Sequence, residues 1–381
     1  MSTPQGGRAE RRRRGVGGGV GVAVRAGRRS SRLLVAAVAA GSLVALGVQV
    51  GSASPEAATR SVTLTNHGSS TAKAADMLLK QGRETFRFDT FGDQAFWGDL
   101  LNLDAAIAGK ANGGVGPGVS PRTALAVGLK VDVKALPSSV KKGIAAGKVN
   151  LDDPATTLAL LKLNSVVGVK GFFDKSGKLR SVGIECALCH STVDDSFAPG
   201  IGNRLDAWAN RDLNVGAIIG LSPNLQPVAN LLHTNVATVH KVLNSWGPGK
   251  FDAQLFLDGK AFRPDGKSAA SVIPPAFGLL GVNLSTTTGF GSMTYWNAFV
   301  ANLEMHGQGT FYDPRLDNAK QFPIAAENHF GHTRAKEDLI TSKLPALQFY
   351  QLSIRAPKPP KGSFDKDAPQ EDIVITSAKR L

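Results

Sequence analysis

The pentapeptide Cys186-Ala187-Leu188-Cys189-His190 contains both cysteines of this 381-residue chain, three positions apart and followed directly by a histidine. This is the attachment pattern of a c-type haem. Two thiols on successive turns of a short helix can each bond to one vinyl group of the same porphyrin, and the adjacent imidazole then lies under the iron. The spacing predicts one covalent haem c, bound through Cys186 and Cys189, with His190 as the proximal iron ligand.

Other roles for the two cysteines explain less of the pattern. A disulfide between Cys186 and Cys189 would close a loop too small to add much stability. A thioredoxin-like pair does not require the histidine. A zinc site would need further ligands from a chain that has no more cysteines. The haem interpretation accounts for all three residues together.

The sequence just before the motif predicts a β-hairpin. Val169, Phe172 and Phe173 belong to a run of β-branched and aromatic residues, and a turn at 174–178 follows it. A second apolar run, Leu179–Ile184, then continues to the motif. The haem is therefore expected at the end of a short ribbon.

The rest of the chain favours helices joined by long loops. The apolar periodicity and the capping residues predict helices over 74–86, 93–108, 154–163 after the cap Asp153, 227–246 and 295–306. His233 and His240, seven residues apart in the fourth of these, are expected to share a face. The predicted fold class is mainly α, a cytochrome c-like haem domain with long loops and a small β-hairpin before the haem motif.

The N-terminus has the order of an export signal. An Arg-rich leader precedes an apolar stretch over 33–50 and then the small residues of 51–54. We interpret residues 1–54 as a signal peptide, with an uncleaved N-terminal membrane anchor as the alternative. Residues 55–73 are expected to be a tether, 74–356 the haem domain with large insertions, and 357–381 a linker-like tail.

The charge of the chain is concentrated in this leader. The net charge is +14, but residues 1–54 hold nine arginines against the single acid Glu10, which leaves thirty-five basic and twenty-nine acidic residues beyond them. We find no basic patch interleaved with aromatic residues in the remainder, so a nucleic-acid partner is not expected.

The residue opposite His190 decides what the iron does. A methionine or histidine there gives an electron carrier, whereas an open position gives a site that reacts with peroxide or oxygen. Met293, in a glycine-rich loop, and Met305 and His306, at the end of a predicted helix, are the candidate distal ligands. An open or otherwise filled position remains the alternative.

Several further stretches resemble one group of proteins. The chain is similar to exported bacterial c-type cytochromes that are distantly related to the di-haem cytochrome c peroxidase family. Besides the haem motif, the stretches that carry the resemblance are Asp89-Thr90-Phe91-Gly92-Asp93 with Phe96-Trp97, Trp208-Ala209-Asn210-Arg211-Asp212, Trp246-Gly247-Pro248-Gly249-Lys250-Phe251-Asp252, and Tyr295-Trp296-Asn297 through Glu304-Met305-His306-Gly307. The resemblance covers roughly residues 74–360.

The chain departs from that group at its C-terminal end. Such proteins usually continue into a second cytochrome domain with its own Cys-x-x-Cys-His, whereas Gly362-Ser363-Phe364-Asp365 leads here into a short tail without cysteine. We therefore expect either a mono-haem relative or a truncated product. The resemblance does not imply two-haem peroxidase chemistry for this chain alone.

Three functions are compatible with these features. The first is a mono-haem electron-transfer protein, exported to the periplasm or the outer face of the cytoplasmic membrane, with an unidentified redox partner protein. The second is a peroxidase- or oxygenase-like haem oxidoreductase. The third is a haem-based sensor or binding module. Whether the chain is an enzyme stays open at the level of sequence.

Overall fold

The structure, a computed structural model, describes residues 67–253, 255, 270–282, 284 and 291–358. The proposed signal or anchor, most of the proposed tether, and the tail beyond Lys358 lie outside the described residues. About 46% of the described residues are helical and about 13% are in strands. The chain is thus mainly α with small sheets, which agrees with the coarse expectation from the sequence.

The helices are short apart from the first. They are α1 (His67–Phe88), α2 (Leu103–Ala108), α3 (Pro121–Ala126), α4 (Ser138–Ala145), α5 (Pro154–Lys162), α6 (Ala187–His190), α7 (Val215–Ile219), α8 (Gln226–Leu231), α9 (Val236–Trp246), α10 (Met293–Phe299), α11 (Pro323–Glu327) and α12 (Leu344–Ser353). Two π-helical turns cover Ala95–Leu100 and Val300–Glu304. Turns of 3-10 helix cover Lys110–Asn112, Val133–Ala135, Pro314–Asp317 and Thr341–Lys343.

The strands pair in twos. They are β1 (Val131–Asp132), β2 (Val169–Phe173), β3 (Leu179–Ile184), β4 (Ser191–Val193), β5 (Ile201–Gly202), β6 (Arg204–Asp206), β7 (Lys250–Phe251), β8 (Ser271–Val272), β9 (Thr310–Tyr312) and β10 (His332–Arg334). β1 pairs with β5 in parallel, and the antiparallel pairs are β2 with β3, β4 with β6, β7 with β8 and β9 with β10.

The hairpin predicted before the motif is confirmed. β2 and β3 form an antiparallel pair in which Val169 faces Ile184. The Asp174 carboxylate closes the turn by accepting hydrogen bonds from the backbone N–H groups of Ser176 and Lys178. β3 ends at Ile184, two residues before Cys186, so the ribbon leads directly into the motif.

Two predicted helices are interrupted at residues with a left-handed backbone. The expected helix over 93–108 is divided at Asn102, whose φ is 54°. The expected helix over 227–246 becomes α8 and α9, because His233 has a φ of 51° and the Asn235 side chain caps α9 by accepting from Thr238 N. The prediction that His233 and His240 share a helix face is therefore wrong, since only His240 lies on α9.

Other boundaries differ less. The helix predicted to begin at residue 74 begins at His67, so α1 includes the last part of the stretch expected to be a tether. The helix predicted over 295–306 begins at Met293 and changes to a π-helical turn after Phe299. Asp153 caps α5 as expected, since its carboxylate accepts from Ala155 N at 2.8 Å.

The apolar core of the described residues has three clusters. The largest contains Leu188 of the motif and Trp246 at the end of α9, and the side chain of Cys189 packs against it. The second contains Ala187, Phe86 of α1, Met305 and Leu347 of α12, and Cys186 packs against it. The third surrounds Phe299 and Phe311. The haem motif thus contributes to two clusters at once, which holds α6 between them.

Candidate haem-attachment site

A glycine fixes the position of the motif backbone. Gly168 has a φ of 78°, and a Cβ atom there would lie 2.1 Å from the backbone N and Cα of Leu188. Glu185 N also donates a hydrogen bond to Gly168 O at 3.0 Å. Since a side chain at position 168 would collide with α6, glycine allows the hairpin and the motif to pack backbone against backbone.

The two motif cysteines are free thiols that keep part of their surface exposed. Burial raises the pKa of Cys186 to about 12, with a further contribution from the charges of Asp89 and Glu185. Burial likewise raises the pKa of Cys189 to about 12, helped by Glu304. Both thiols are therefore protonated at neutral pH. The two cysteines do not form a disulfide with each other.

The imidazole of His190 is oriented by a backbone carbonyl. His190 Nδ1 lies 3.1 Å from the carbonyl oxygen of Pro274, which is 84 residues further along the chain. A proton on Nδ1 donated to this oxygen leaves Nε2 unprotonated. Burial lowers the pKa of His190, which favours the neutral imidazole that a metal requires.

These three side chains fit the group that the sequence predicts. The two thiols flank one turn of helix, neither is consumed in another bond, and Nε2 of His190 is the nitrogen that remains for iron. Among the described residues, no group of three or more His, Cys, Asp or Glu side chains forms a separate metal site. The two free thiols and the oriented imidazole therefore fit a haem that takes one iron ligand from the motif.

Two of the three candidate distal ligands lie in a segment that adjoins the motif. Glu304 ends the second π-helical turn, and its carboxyl group lies near enough to Cys189 to help raise the pKa of that thiol. Met305 follows and is 4% exposed, in the cluster that contains Ala187. His306 comes next and stacks on Phe96 at 3.7 Å between ring centroids. Met305 therefore shares an apolar cluster with the motif, and Glu304 interacts electrostatically with it.

The neighbours of this segment constrain it further. Trp97 Nε1 donates a hydrogen bond to the backbone oxygen of Met305 at 2.8 Å. His306 has a φ of 60°, and burial lowers its pKa to about 3, so the imidazole is neutral. Burial raises the pKa of Glu304 to about 8, and the charge of Asp252 adds to this effect. Glu304 therefore carries its proton at neutral pH.

Met293 occupies a different setting from the one expected. It is the first residue of α10, which the Ser292 side chain caps by accepting from Tyr295 N. The sequence suggested a glycine-rich loop that could present its sulfur to the iron. Helix formation at Met293 leaves that residue partly exposed at a helix start.

Two more acids are buried beside the motif. Asp93 has no exposed surface, and burial raises its pKa to about 9. Its carboxyl oxygens accept from Ile184 N at 3.2 Å. Burial also raises the pKa of Glu185 to about 8, against the opposing influence of Arg204 and Lys170. Asp93 and Glu185 are thus held as neutral acids where the hairpin enters α6.

A network of charged and polar groups holds the strand that follows the motif. Asp206 of β6 accepts hydrogen bonds from Arg87 of α1, at 2.6 Å, from Ser191 of β4, at 3.1 Å, and from the hydroxyl of Tyr350 of α12. Asp206 faces Ser191 in the β4–β6 register. Because Ser191 follows His190 directly, this network anchors the C-terminal end of the motif.

Sequence reasoning missed Pro274, Gly168 and Glu304. A glycine inside the β-branched run Val166 to Val169 is a signal for close backbone approach, and it was available for Gly168. No local pattern indicates that the carbonyl of Pro274 meets a residue 84 positions earlier. In the sequence Glu304 resembles a surface acid at the end of an amphipathic helix, whereas the structure leaves it only partly exposed.

Comparison of the chain with protein-family models, with curated proteins and with solved structures found no match. Within the described residues, no helix has both the length and the apolar character needed to cross a membrane. The apolar stretch proposed as a signal or anchor lies outside them. The assignment of function therefore depends on the motif and its geometry.

Proposed function

We propose that this chain is an extracytoplasmic mono-haem c-type cytochrome of cytochrome c-like fold that acts in electron transfer. The observation that carries the proposal is the contact between His190 Nδ1 and the Pro274 carbonyl. This contact fixes one tautomer and leaves Nε2 for iron, directly after two free thiols at the attachment spacing. A histidine with a merely structural role has no need of this combination.

The residues of the site would have different roles in binding the haem and in setting its reduction potential. Cys186 and Cys189 would form thioethers with the two vinyl groups of the haem, and His190 would ligate the iron. Bound haem c supplies a one-electron couple. The Pro274 carbonyl raises the basicity of the imidazole through Nδ1, and this effect would lower the reduction potential of the haem. The apolar clusters on both sides of α6 exclude water, and this effect would raise the reduction potential. Met305, His306 and Met293 are the candidates for the position opposite His190.

The proposal predicts a covalent link that survives unfolding. The full chain, co-expressed with a c-type haem maturation system, should keep haem on a denaturing gel. Its reduced pyridine spectrum should be that of haem c. Cys186→Ser and Cys189→Ser should each retain one thioether, and the α band should move to longer wavelength because one vinyl group stays conjugated. Ser139→Ala, at an exposed position on α4, serves as control. Loss of haem from the wild-type chain on denaturation would contradict the proposal.

A peroxidase- or oxygenase-like oxidoreductase is the second candidate, and Glu304 is the observation that favours it. A partly exposed acid that keeps its proton at neutral pH beside the motif is the kind of group that donates a proton to bound peroxide. Met305 is also engaged in core packing, which is unlike a residue reserved for the iron.

Carbon monoxide separates the two functions. An electron carrier with a tightly held sixth ligand should show a low-spin spectrum and no rapid binding of carbon monoxide after reduction. Rapid binding would favour the oxidoreductase. Met293→Leu, Met305→Leu and His306→Gln then locate the ligand, because only the variant that removes it should convert the iron to high spin. A spectrum unchanged in all three variants would exclude these distal candidates.

A further inference from the structure

The segment that orients His190 is also an exposed apolar surface. Pro274, whose carbonyl contacts His190 Nδ1, is itself exposed, and so is Pro275. Val272 is 49% exposed and Leu280 is 77% exposed. Pro274 therefore connects the proximal histidine directly with the protein surface.

An aromatic pair extends this surface. Trp208 is 38% exposed, and its ring contacts Phe277 with 5.6 Å between centroids. Ala276 N donates a hydrogen bond to Ala207 O at 2.8 Å, which fixes the two chain segments side by side. We call the surface formed by Trp208, Val272, Pro274, Pro275, Phe277 and Leu280 the Pro274 face.

Basic residues border the Pro274 face. Lys250 pairs with Val272 in the β7–β8 register, and the backbone of Arg211 abuts Gly249 beside it. On another side, Gly278 N donates to Ile354 O at 2.8 Å, which places the 353–358 segment against the face. The exposed basic residues of these segments are Arg211, Lys250, Arg355 and Lys358.

No acid neutralises these four basic residues within the described part of the chain. None of them forms a salt bridge with a described residue. The segments 207–211, 247–251, 270–282 and 353–358 contain no Asp or Glu. Of the acids next in sequence, Asp206 is paired with Arg87, Asp212 is paired with Lys130, and Asp252 is buried. Counted over the described residues, the rim therefore has a net positive charge.

We propose that the Pro274 face is the docking surface for an acidic electron-transfer protein. An apolar centre with a charged rim is the usual composition of a transient interface, and an unpaired basic rim is complementary to a partner with surface carboxylates. The face lies over the residue that contacts His190, so a docked partner reaches the proximal side of the site. This inference rests on the proposed function and names the class of its partner.

The test uses oxidised plant-type [2Fe–2S] ferredoxin, a small acidic protein, as the probe. Calorimetry on the full haem-loaded chain should show binding at low ionic strength that weakens with added salt. Hydrogen exchange should slow on binding in segments 207–211 and 270–282. Lys250→Glu with Arg355→Glu should weaken binding about tenfold or more. Lys142→Glu with Lys148→Glu, an equal charge change at exposed positions elsewhere, should alter it less than about twofold.

Three results would overturn the inference. The first is equal weakening by the two double variants, and the second is exchange protection confined to other segments. The third is faster exchange in segment 270–282 after deletion of residues 359–381, because that result would mean that the tail covers the Pro274 face in the full chain. Trp208→Ala reports separately on the apolar centre and should weaken binding without changing its salt dependence. Failure of the chain to attach haem would contradict the proposed function and not the docking surface. The two failures are distinguishable because the segments protected from exchange are measured independently of the haem spectrum.

Discussion

Individual residues of the site owe their roles to distant neighbours. Gly168 was visible in the sequence as an interruption of a β-branched run, but its contact with Leu188 depends on how the hairpin folds back over the motif. Pro274 could be excluded from a helix by its sequence, yet its contact with His190 spans 84 positions. The motif could be recognised in the sequence because its five residues are adjacent, whereas the contacts that support it come from distant parts of the chain.

Replacing Gly168 with alanine should be severely destabilising. The substitution combines a left-handed backbone with a Cβ atom 2.1 Å from the Leu188 backbone, so we expect a loss of about 3 kcal/mol or more in the free energy of unfolding. Gly147→Ala is the matched control, because Gly147 has a φ of 65° and nothing within 4 Å of the added atom. It should cost about 1 kcal/mol. Denaturant titration measures both, and equal losses would refute the proposed collision.

The buried acid Asp93 predicts a specific pH dependence of stability. Its pKa is raised from 3.8 to about 9, so the folded chain holds a proton that the unfolded chain has released at pH values between these two. Stability should therefore fall as pH rises through this window, by up to about 1.4 kcal/mol per pH unit, and level off above pH 9. Glu185 contributes in the same direction up to about pH 8.

Asp93→Asn isolates this contribution. The variant keeps an oxygen that can accept from Ile184 N but cannot ionise, so its stability relative to the wild type should increase between pH 6 and pH 8.5. Asp99→Asn, which removes a carboxyl group at an exposed position, is the matched control. Parallel stability curves for Asp93→Asn and the wild type would show that the carboxyl is already ionised when folded.

At the scale of elements, the sequence predicted the hairpin and the helix cap, but it did not predict where two helices are interrupted. The hairpin and the α5 cap were correct because alternation and capping are local signals. The sequence did not predict the interruptions at Asn102 and His233, because both residues are compatible with a helix and tertiary contacts select the left-handed conformation. His233 Nε2 then lies 2.8 Å from a carboxyl oxygen of Glu327, which is 94 residues further along the chain.

The hydrogen bond from Trp97 joins two elements of the site. It connects the first π-helical turn with the backbone after the second one, where segment 304–306 meets the motif. Trp97→Phe leaves the Met305 oxygen buried without its donor, so we expect a loss of about 1–3 kcal/mol. Trp208→Phe, at an exposed ring, should cost less than about 0.5 kcal/mol. Thermal unfolding compares the two, and equal costs would mean that the hydrogen bond contributes nothing.

At the scale of the whole molecule, the apolar core of the described residues draws on positions from Phe86 to Leu347. All three apolar clusters lie within 67–358, and the chain divides into one unit over Met1–Thr63 and another over Leu64–Leu381. A protein of residues 64–358 should therefore unfold in one cooperative transition, with near- and far-ultraviolet circular dichroism changing together. Loss of the near-ultraviolet signal alone at a lower temperature would show that an omitted segment is needed for packing.

The distance in sequence between His190 and Pro274 also imposes an order of events. A chain made from its N-terminus presents the attachment pentapeptide 84 residues before the carbonyl that orients its histidine. In the proposed cytochrome, the thioether bonds would need only the pentapeptide, so they could form on a nascent segment in which the imidazole still rotates freely. Fixing the surroundings of the iron would then be a late step of maturation. A chain cut between the two positions would carry haem but would lack the carbonyl that orients its histidine.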